Sequence, residues 1–589
     1  EWWSFRERRF KNTEELIEDP DCIGGLTMVG NPQPIKQSLL YKYKFPDQEY
    51  KIKKDQDVTN AQWIEFKKAY AGIIESVDAY KKILTISKGT GINKKTGEVK
   101  ENLPYSLNIG PKKPLPPDKI ETSIQNLIKE VISENKTNKY QAILDILTKK
   151  YPNIKSIKKG EPIIKSDEFE KEIPIVIENL DRSYMVLQGP PGTGKTWQIA
   201  NAIIYLLKKG KRIAVSANSH KVIINILKAI EDAADDLSKA EKEGFNFKGL
   251  KQKGSLEDHI FNGKYITTQY IDHKGKTKYY EEKDFIKALK DKTHNLFAGT
   301  SRHLTKDFFD QKLDFLFIDE ASQVSLADVV AAGKCAKNII LVGDQQQLGM
   351  PTKAVHPGQT NKSALDFLIE ADTISPDRGI FINTTRRLHP NINNFTSNNF
   401  YDGRLKHHPD TEKRKIIFSK NEKIFNESGL YYFPMKHQNR SQLCEEEGSE
   451  ILKLYDKFLS AKFVNEHGKK SDLNVDSILV ISPYNVQVNY LKSILPKNSN
   501  IGTVDAFQGQ QRPISIFSMA TSEPENLSRN LEFFYSRNRL NVGISRAQCI
   551  SIVLMNPKLF YFQCKKTSQI KLINTLIKLD TFKINNYTI

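Results

Sequence analysis

The sequence predicts an α/β protein in which two consecutive domains, each built on a parallel sheet, follow a small β-barrel and a helical stalk. From Ser183 onward, short and fully apolar runs alternate with amphipathic helix patterns. Strands that are apolar on both sides are typical of parallel sheets covered by helices on both faces. Upstream, residues 40–54 alternate aromatic and lysine side chains, and residues 73–86 have the pattern of a β-hairpin. That period of two predicts antiparallel strands on a barrel.

These patterns divide the chain into five segments. We expect an N-terminal helical segment at 1–30, a β-barrel accessory domain at 31–115, a helical stalk at 116–160, a first α/β domain at 161–376 with a charged surface insertion near 231–295, and a second α/β domain at 377–589. The apolar runs assigned to the first sheet are 184–187, 212–216, 296–299, 315–318 and 339–342, and those assigned to the second are 380–382, 478–481, 501–504, 514–519 and 550–554.

The segments outside the two sheets carry their own signals. Thr13 is predicted to cap the N-terminal helix, because a hydroxyl before an acidic first turn is a common helix start. A proline-rich linker at 111–117 leads into an amphipathic stalk helix that runs through Ile120 and Val131.

Composition limits the class of protein. A chain of 589 residues with 39% hydrophobic residues is long and apolar enough for several folded cores, which excludes a disordered chain. Its net charge of +19 favours a polyanionic partner such as nucleic acid, although a lysine-rich genome is an alternative source of the excess. Five cysteines without paired spacing favour a reducing cytoplasm over a disulfide framework or a cysteine-bound cluster. No apolar run has the length of a membrane span, so we expect a cytoplasmic protein without a membrane partner.

The segment from Gly189 to Thr196 follows a predicted strand and precedes an amphipathic helix pattern, which is the setting of a phosphate-binding P-loop. The backbone N–H groups of such a loop surround phosphates at a helix N-terminus. Its lysine reaches the terminal phosphates, and its last hydroxyl binds Mg²⁺. We therefore expect nucleotide contacts from Gly189, Pro190, Pro191, Gly192, Thr193, Gly194, Lys195 and Thr196.

Two adjacent acids, Asp319 and Glu320, end the apolar strand at 315–318. Downstream of a P-loop, the first acid is expected to hold Mg²⁺, and the second can orient and deprotonate an attacking water. A glutamine in the stretch 343–348 can touch both the γ-phosphate and that water, although Gly-Asp-Gln is also typical of a simple turn.

Nine motifs follow the order found in superfamily 1B helicases of the up-frameshift and Okazaki-processing type, which the chain closely resembles. They span Gln188 to Ala547 and read GPPGTGKT, SANSHKV, FAGTS, IDEASQ, GDQQQL, RRLHP, ISPYNVQ, TVDAFQGQ and LNVGISRA. The resemblance implies that the segments 161–376 and 377–589 are RecA-like P-loop domains, the first and second motor domains, with ATP and Mg²⁺ in the cleft between them. It also implies an accessory barrel over a nucleic acid channel. The residue roles that it implies are Thr196 and Asp319 for Mg²⁺, Glu320 as catalytic base, Gln347 as γ-phosphate sensor, and Arg387 and Arg546 as arginine fingers.

The chain also departs from the family pattern. Arg386 stands where the family often has a tyrosine that stacks on adenine, and a guanidinium plane can stack as well. Gln511 stands where a glutamate usually holds the ribose, so that hydrogen bond would be uncharged. No adenine-reading glutamine occurs at 160–182, which leaves the strictness for ATP open. Along the nucleic acid channel the resemblance implies contacts from Ser219, His220, Thr300, Ser482, Pro483, Tyr484 and Thr503.

The expected function is ATP-dependent translocation on single-stranded nucleic acid with duplex unwinding, on DNA and with 5′→3′ polarity as the resemblance implies. The alternative is an ATPase switch that nucleic acid gates and that remodels or signals without unwinding. A scaffold with an inactive P-loop is disfavoured because the lysine, both acids and both fingers are present. RNA stays open as the strand, since phosphate contacts do not report the 2′-OH. Residues 1–30 weakly resemble the junction after a RecB-like nuclease in bacterial fusions, which leaves open a nuclease domain upstream of Glu1.

Overall fold

The computed structural model describes residues 2–35, 38–64, 69–78, 81–89, 102–113, 118–133, 138–238, 241, 245–254, 257–350, 358–418, 424–507, 509–524, 534–564 and 566–584. Within those ranges, no helix combines the length and the apolar composition that crossing a membrane requires.

The predicted β-barrel is confirmed as a ring of six antiparallel strands. The ring closes because the strand Ile23–Met28 pairs with both Ser38–Lys44 and Ser106–Pro111. The predicted hairpin is also present, with Asp78 opposite Ile83. Tyr41, Tyr43 and Phe45 are buried in the barrel core, as their alternation with lysines predicts. The ring strands are Ile23–Met28, Ser38–Lys44, Asp57–Asn60, Tyr70–Asp78, Ile83–Gly89 and Ser106–Pro111, with Gln33–Ile35 at one edge.

The expected border at residue 31 is wrong, because the strand Ile23–Met28 belongs to the barrel. A pair of glycines in this strand interrupts its apolar alternation and hides it in the sequence. The helix Thr13–Glu18 packs against it. This helix is capped by the side chain of Asn12, so the predicted cap at Thr13 is one residue too late.

The predicted stalk helix is present as Asp118–Ile132. It packs on the helix Leu326–Gly333 of the first α/β domain, where the Ser123 hydroxyl donates to the Ala331 carbonyl at 3.0 Å. The prolines of the expected linker at 114, 116 and 117 lie outside the described residues. The stalk is therefore anchored on the first motor domain.

The first motor domain holds an eight-stranded sheet in which all pairs are parallel, and the five predicted strands form its centre. Part of the expected insertion at 231–295 is not a surface feature, because two of its strands extend this sheet. The run 380–382 was assigned to the second sheet, but Ile380–Phe381 pairs with Tyr184–Gln188 here. The border between the domains therefore lies after residue 382 and not at 376. In sheet order the strands are Ile266–Thr267, Gly249–Lys251, Leu296–Ala298, Ile213–Ala217, Leu313–Asp319, Ala336–Gly343, Tyr184–Gln188 and Ile380–Phe381.

The second motor domain holds a five-stranded parallel sheet. Four of its strands match predicted runs. The fifth, Gly429–Pro434, was missed because its tyrosines and its terminal proline make a weak apolar signal. In sheet order the strands are Gly429–Pro434, Ala547–Met555, Arg512–Ser518, Ile478–Ile481 and Asn500–Gly502.

Helices and three small sheets complete both domains. The α-helices of the first domain are Gln141–Leu147, Phe169–Glu178, Lys195–Lys208, His220–Asp235, Glu282–Lys290, Ser301–Leu304, Leu326–Gly333 and Ala364–Leu368. Those of the second are Pro390–Phe400, Glu445–Leu459, Asn485–Ile494, Arg537–Ile544 and Thr567–Ile577. The small sheets pair Gln269–Ile271 with Thr277–Tyr279, Thr384–Thr385 with Lys406–His407, and Lys462–Val464 with Lys415–Ile417 and Lys470–Asp472.

The two motor domains pack directly on each other. One hydrophobic cluster contains Val186 and Leu341 of the first sheet together with Val542 and Val553 of the second domain. The two domains therefore share part of one hydrophobic core.

Candidate active site between the two motor domains

The P-loop lies between the strand Tyr184–Gln188 and the helix Lys195–Lys208, as predicted. Gly192 and Gly194 have φ of +75° and +76°, a conformation that side chains disfavour. At Gly189 a Cβ would lie 2.1 Å from Cγ of Lys195, so glycine is needed for the lysine to fold over the loop. The Lys195 ammonium donates a hydrogen bond to the Gly189 carbonyl. The loop is shaped to surround a group of phosphate size at the start of a helix.

The two predicted acids stand at the end of the strand Leu313–Asp319, beside the P-loop. Asp319 is only 4% exposed, and its carboxylate accepts a hydrogen bond from the backbone N–H of Glu320 at 2.8 Å. Burial raises the pKa of Asp319, the charge of Glu320 raises it further, and the Lys195 ammonium lowers it. The buried Asp319 carboxylate and the Thr196 hydroxyl, which follows Lys195 in the P-loop, are oxygen ligands of the kind that Mg²⁺ prefers. These residues fit the ion that the fold implies.

Two arginines reach the same place from the second domain. Arg546 is 1% exposed, and its Nη1 donates to the Gln510 carbonyl at 3.1 Å. Its Nε and Nη2 have no hydrogen-bond partner among the described residues. Burial lowers the pKa of Arg546 to about 10, and the charge of Glu320 raises it. The pKa of Arg387 is lowered to about 9 by burial and by the neighbouring Arg546. Two guanidinium groups thus stand close together opposite the P-loop, in a position that an anion would stabilise.

The segment that carries the first arginine touches the P-loop itself. The Thr385 hydroxyl donates to the Pro191 carbonyl at 2.7 Å, and the Arg386 N–H donates to the Gly192 carbonyl at 2.8 Å. A Cβ on Gly192 would lie 2.2 Å from Cβ of Arg387. The backbone of the second domain can approach this closely only because residue 192 is glycine.

Sequence comparisons agree with this geometry. Two family models, each described as an AAA domain, match residues 176–374 and 360–558. The ATP-dependent helicase NAM7 of Saccharomyces cerevisiae is 26% identical over 421 residues, which cover 64% of this chain and 40% of that protein. The DNA polymerase alpha-associated DNA helicase A of Schizosaccharomyces pombe is 25% identical over 411 residues, which cover 61% of this chain and 59% of that protein. The family models and these relatives together support a superfamily 1 helicase.

The chain spans about half the length of these relatives, at 40% and 59%. Its likeness to the ATP-dependent helicase upf1 of Schizosaccharomyces pombe, 25% identical over 457 residues covering 69% of this chain and 47% of that protein, fits group 1B. Among solved structures, the match to the Arterivirus nonstructural protein 10 (helicase) covers 89% of this chain and 77% of the viral chain. The sequence identity is 12% and the TM-score is 0.37.

Three predicted nucleotide contacts have protein partners in the structure. The Gln347 amide donates to the Asp344 carboxylate at 2.8 Å. The exposed Gln511 accepts a hydrogen bond from Nε of Arg387 at 2.6 Å, so it orients the Arg387 guanidinium. The exposed Arg386 contacts the P-loop through its backbone and leaves its guanidinium at the surface. Their roles toward the γ-phosphate, ribose and adenine stay predictions.

The predicted nucleic acid contacts of the first motor domain lie side by side at the ends of neighbouring strands. Ser219 caps the helix His220–Asp235 with its hydroxyl. The His220 ring stacks on His259 at 4.8 Å, and burial lowers the pKa of His220 to about 4. The Thr300 N–H and hydroxyl both donate to Gln252, at 3.1 and 3.3 Å. Gln252 comes from the region predicted as an insertion, so its contact with Thr300 was not predicted from the sequence.

The corresponding residues of the second motor domain are less accessible. Ser482, Pro483 and Tyr484 are buried, and the Tyr484 ring stacks on Phe534 at 6.2 Å. The Tyr484 ring packs inside the domain, which leaves the backbone of this loop for the predicted contact. Thr503 is half-buried just after the strand Asn500–Gly502. The nucleic acid contacts of both domains stay predictions.

Sequence reasoning missed a buried polar group that joins the two domains. Asp344 accepts hydrogen bonds from Gln347 and, at 2.7 Å, from the Tyr401 hydroxyl, which in turn accepts one from Asn541 at 2.9 Å. Asp344 and Asn541 lie inside quoted motifs, which was a usable signal. Tyr401 lies outside every motif and had none.

Proposed function

We propose that this helicase hydrolyses ATP with Mg²⁺ between its motor domains and uses the cycle to move 5′→3′ along single-stranded nucleic acid, DNA first of all, and to unwind duplexes. One observation carries the hydrolysis step. The buried guanidinium of Arg546 has two unpartnered nitrogen atoms among the described residues and lies near both Arg387 and Glu320. A buried cation without a partner is costly. The terminal phosphate of a nucleotide on the P-loop is the anion that this arrangement fits.

Each residue of the site has a defined task in this reaction. Lys195 donates to phosphate oxygens of the bound substrate. Thr196 and Asp319 would hold Mg²⁺, which neutralises phosphate charge when it is bound. The Glu320 carboxylate orients the attacking water and accepts its proton. The arginine fingers stabilise the charge that develops in the transition state, an effect worth about 10³–10⁵ in rate. Because the fingers and the P-loop come from different domains, hydrolysis changes the contacts across the cleft.

ATP turnover of site variants tests the hydrolysis step. Lys195→Ala should lose both turnover and nucleotide affinity, because the lysine binds the phosphates in the ground state. Glu320→Gln should lose turnover but retain ATP and the strand, because the carboxylate acts on the water. Turnover would be followed by phosphate release, with and without oligonucleotide. Near-normal hydrolysis by Glu320→Gln would show that Glu320 is not the base.

Tailed duplexes test the coupling to movement. The wild type should unwind a duplex with a 5′ single-stranded tail and leave one with a 3′ tail intact. DNA and RNA tails of the same sequence, compared at one salt concentration, would identify the preferred strand. Turnover that is stimulated by single strands without any unwinding would favour the alternative, an ATPase switch gated by nucleic acid.

A further inference from the structure

The turn after the strand Ala336–Gly343 carries a carboxylate that the proposed reaction does not use. Asp344 is 1% exposed. One of its oxygens accepts the Gln346 N–H at 3.1 Å, and the other accepts both the Gln347 amide at 2.8 Å and the Tyr401 hydroxyl at 2.7 Å. The position of Gln347, the predicted γ-phosphate sensor, is therefore fixed by a group that is also held from the second domain.

Tyr401 is fully buried at the C-terminal end of the helix Pro390–Phe400. A tyrosine hydroxyl can donate one hydrogen bond and accept others at the same time. Here it donates to Asp344 of the first domain and accepts from the Asn541 amide of the second, at 2.9 Å. A phenylalanine would fill the same space and make neither hydrogen bond.

Asn541 lies on the helix Arg537–Ile544, and this helix contacts the same turn at further points. The Asn541 amide donates to the Gln346 carbonyl, and the Asn538 amide donates to the Gln345 carbonyl, both at 2.8 Å. The helix leads directly to Ser545, whose carbonyl accepts a hydrogen bond from Nη1 of Arg387 at 3.4 Å, and then to Arg546. Both arginine fingers are thus connected to its C-terminal end.

We propose that Tyr401 is a positioning residue for ATP hydrolysis, whose hydroxyl holds the turn at 344–347 of the first motor domain against the helix Arg537–Ile544 of the second. The hydroxyl joins Asp344 to Asn541. This link holds Gln347 and both arginine fingers in one arrangement. Without it, the turn and the helix lose their shared buried partner, and the fingers approach the phosphate in a wider range of positions. The proposal rests on the proposed ATPase function.

The test compares Tyr401→Phe with Tyr432→Phe. Tyr432 is the matched control because it is fully buried in the same domain and, among the described residues, donates only to the Met555 carbonyl, at 3.4 Å. Tyr401→Phe should lower kcat for strand-stimulated ATP hydrolysis on the order of 10- to 100-fold, the effect of losing a hydrogen bond to a charged group. Its KM for ATP should change less than about threefold, because ground-state phosphate binding is retained. Tyr432→Phe should leave kcat within about twofold.

A double variant separates positioning from general loss of structure. Tyr401→Phe combined with Asp344→Asn should be no slower than the slower single variant, because both changes break one linked unit. Multiplied losses would show that the two residues act independently and would overturn the proposal. So would a Tyr401→Phe kcat within twofold of the wild type, or an equal loss in Tyr432→Phe.

A second measurement does not depend on turnover. Cys564 is exposed while the other four cysteines are buried, so a dye on Cys564 and one on Lys209→Cys, a half-exposed residue of the first domain, would report the distance between the domains. With a non-hydrolysable ATP analogue and single-stranded DNA, Tyr401→Phe should reach the closed distance in a smaller fraction of molecules than Tyr432→Phe. Equal closure in both variants would overturn the proposal. A wild type that closes with the analogue but does not hydrolyse ATP in the turnover assay would overturn the proposed function instead.

Discussion

Replacing Gly192 with alanine tests whether the first arginine finger must lie directly on the P-loop. The added Cβ would lie 2.2 Å from Cβ of Arg387 and 2.7 Å from the Thr385 hydroxyl oxygen. Carbon atoms in contact are about 3.5–4.0 Å apart, so the segment must withdraw by more than 1 Å. A misplacement of about 1 Å at a reacting group can cost about 100-fold in rate. We therefore expect Gly192→Ala to lower kcat about 100-fold.

Gly210→Ala is the matched control for this prediction, because Gly210 lies outside the P-loop, just after the helix Lys195–Lys208. Its φ of +70° is close to the +75° of Gly192, and a Cβ there has no atom within 4 Å. Both variants take on the same left-handed strain, about 1–2 kcal/mol, which should appear as similar losses in the free energy of unfolding. Only Gly192→Ala should lose turnover, as measured by phosphate release with saturating ATP and oligonucleotide. Equal kinetic losses in the two variants, or turnover of Gly192→Ala within threefold of the wild type, would refute the reasoning.

Three further predictions follow from burial and charge. The pKa of Asp319 is raised in the folded protein, so its ionised form destabilises the fold above that pKa. Asp319→Asn should abolish turnover, yet without nucleotide it should raise Tm by about 2–4 °C for each kcal/mol recovered. This gain in Tm should shrink as the pH falls, because the wild-type carboxyl becomes protonated. His437→Ala should lower the free energy of unfolding, measured in urea, by about 3 kcal/mol, because it removes the partner that lies 3.1 Å from the fully buried Glu447. The control His407→Ala, which breaks the partly exposed pair with Glu412, should lower it by less than about 1 kcal/mol. Affinity for single-stranded DNA should fall log-linearly with salt, with a slope near −0.7 for each phosphate neutralised, and show little base preference; a flat response in a fluorescence titration would attribute the excess of 89 basic over 70 acidic residues to genome composition.

Local patterns were sufficient for the P-loop, for the two acids and for the barrel hairpin, because each is formed by residues close together in the chain. The Asp344–Tyr401 contact joins residues 57 positions apart and depends on how two domains meet, which no local pattern reports. The strand Ile380–Phe381 was given to the wrong sheet because its apolar run fits a parallel strand in either domain. The burial of the Tyr484 ring could not be predicted, because it depends on Phe534, which lies 50 positions along the chain.

The passage of the chain from one motor domain to the other has a mechanical consequence. After Ile380–Phe381 leaves the first sheet, Thr385 and Arg386 already bind Pro191 and Gly192 of the P-loop. A rotation of the domains about this segment would have its fulcrum beside the P-loop and not at a distant hinge. Displacement in a rotation grows with distance from the fulcrum, so a small shift at the phosphates becomes a larger stroke at the far end of the second domain. In this geometry the far end of the second domain moves further than the segment at the P-loop, and it does so with less force.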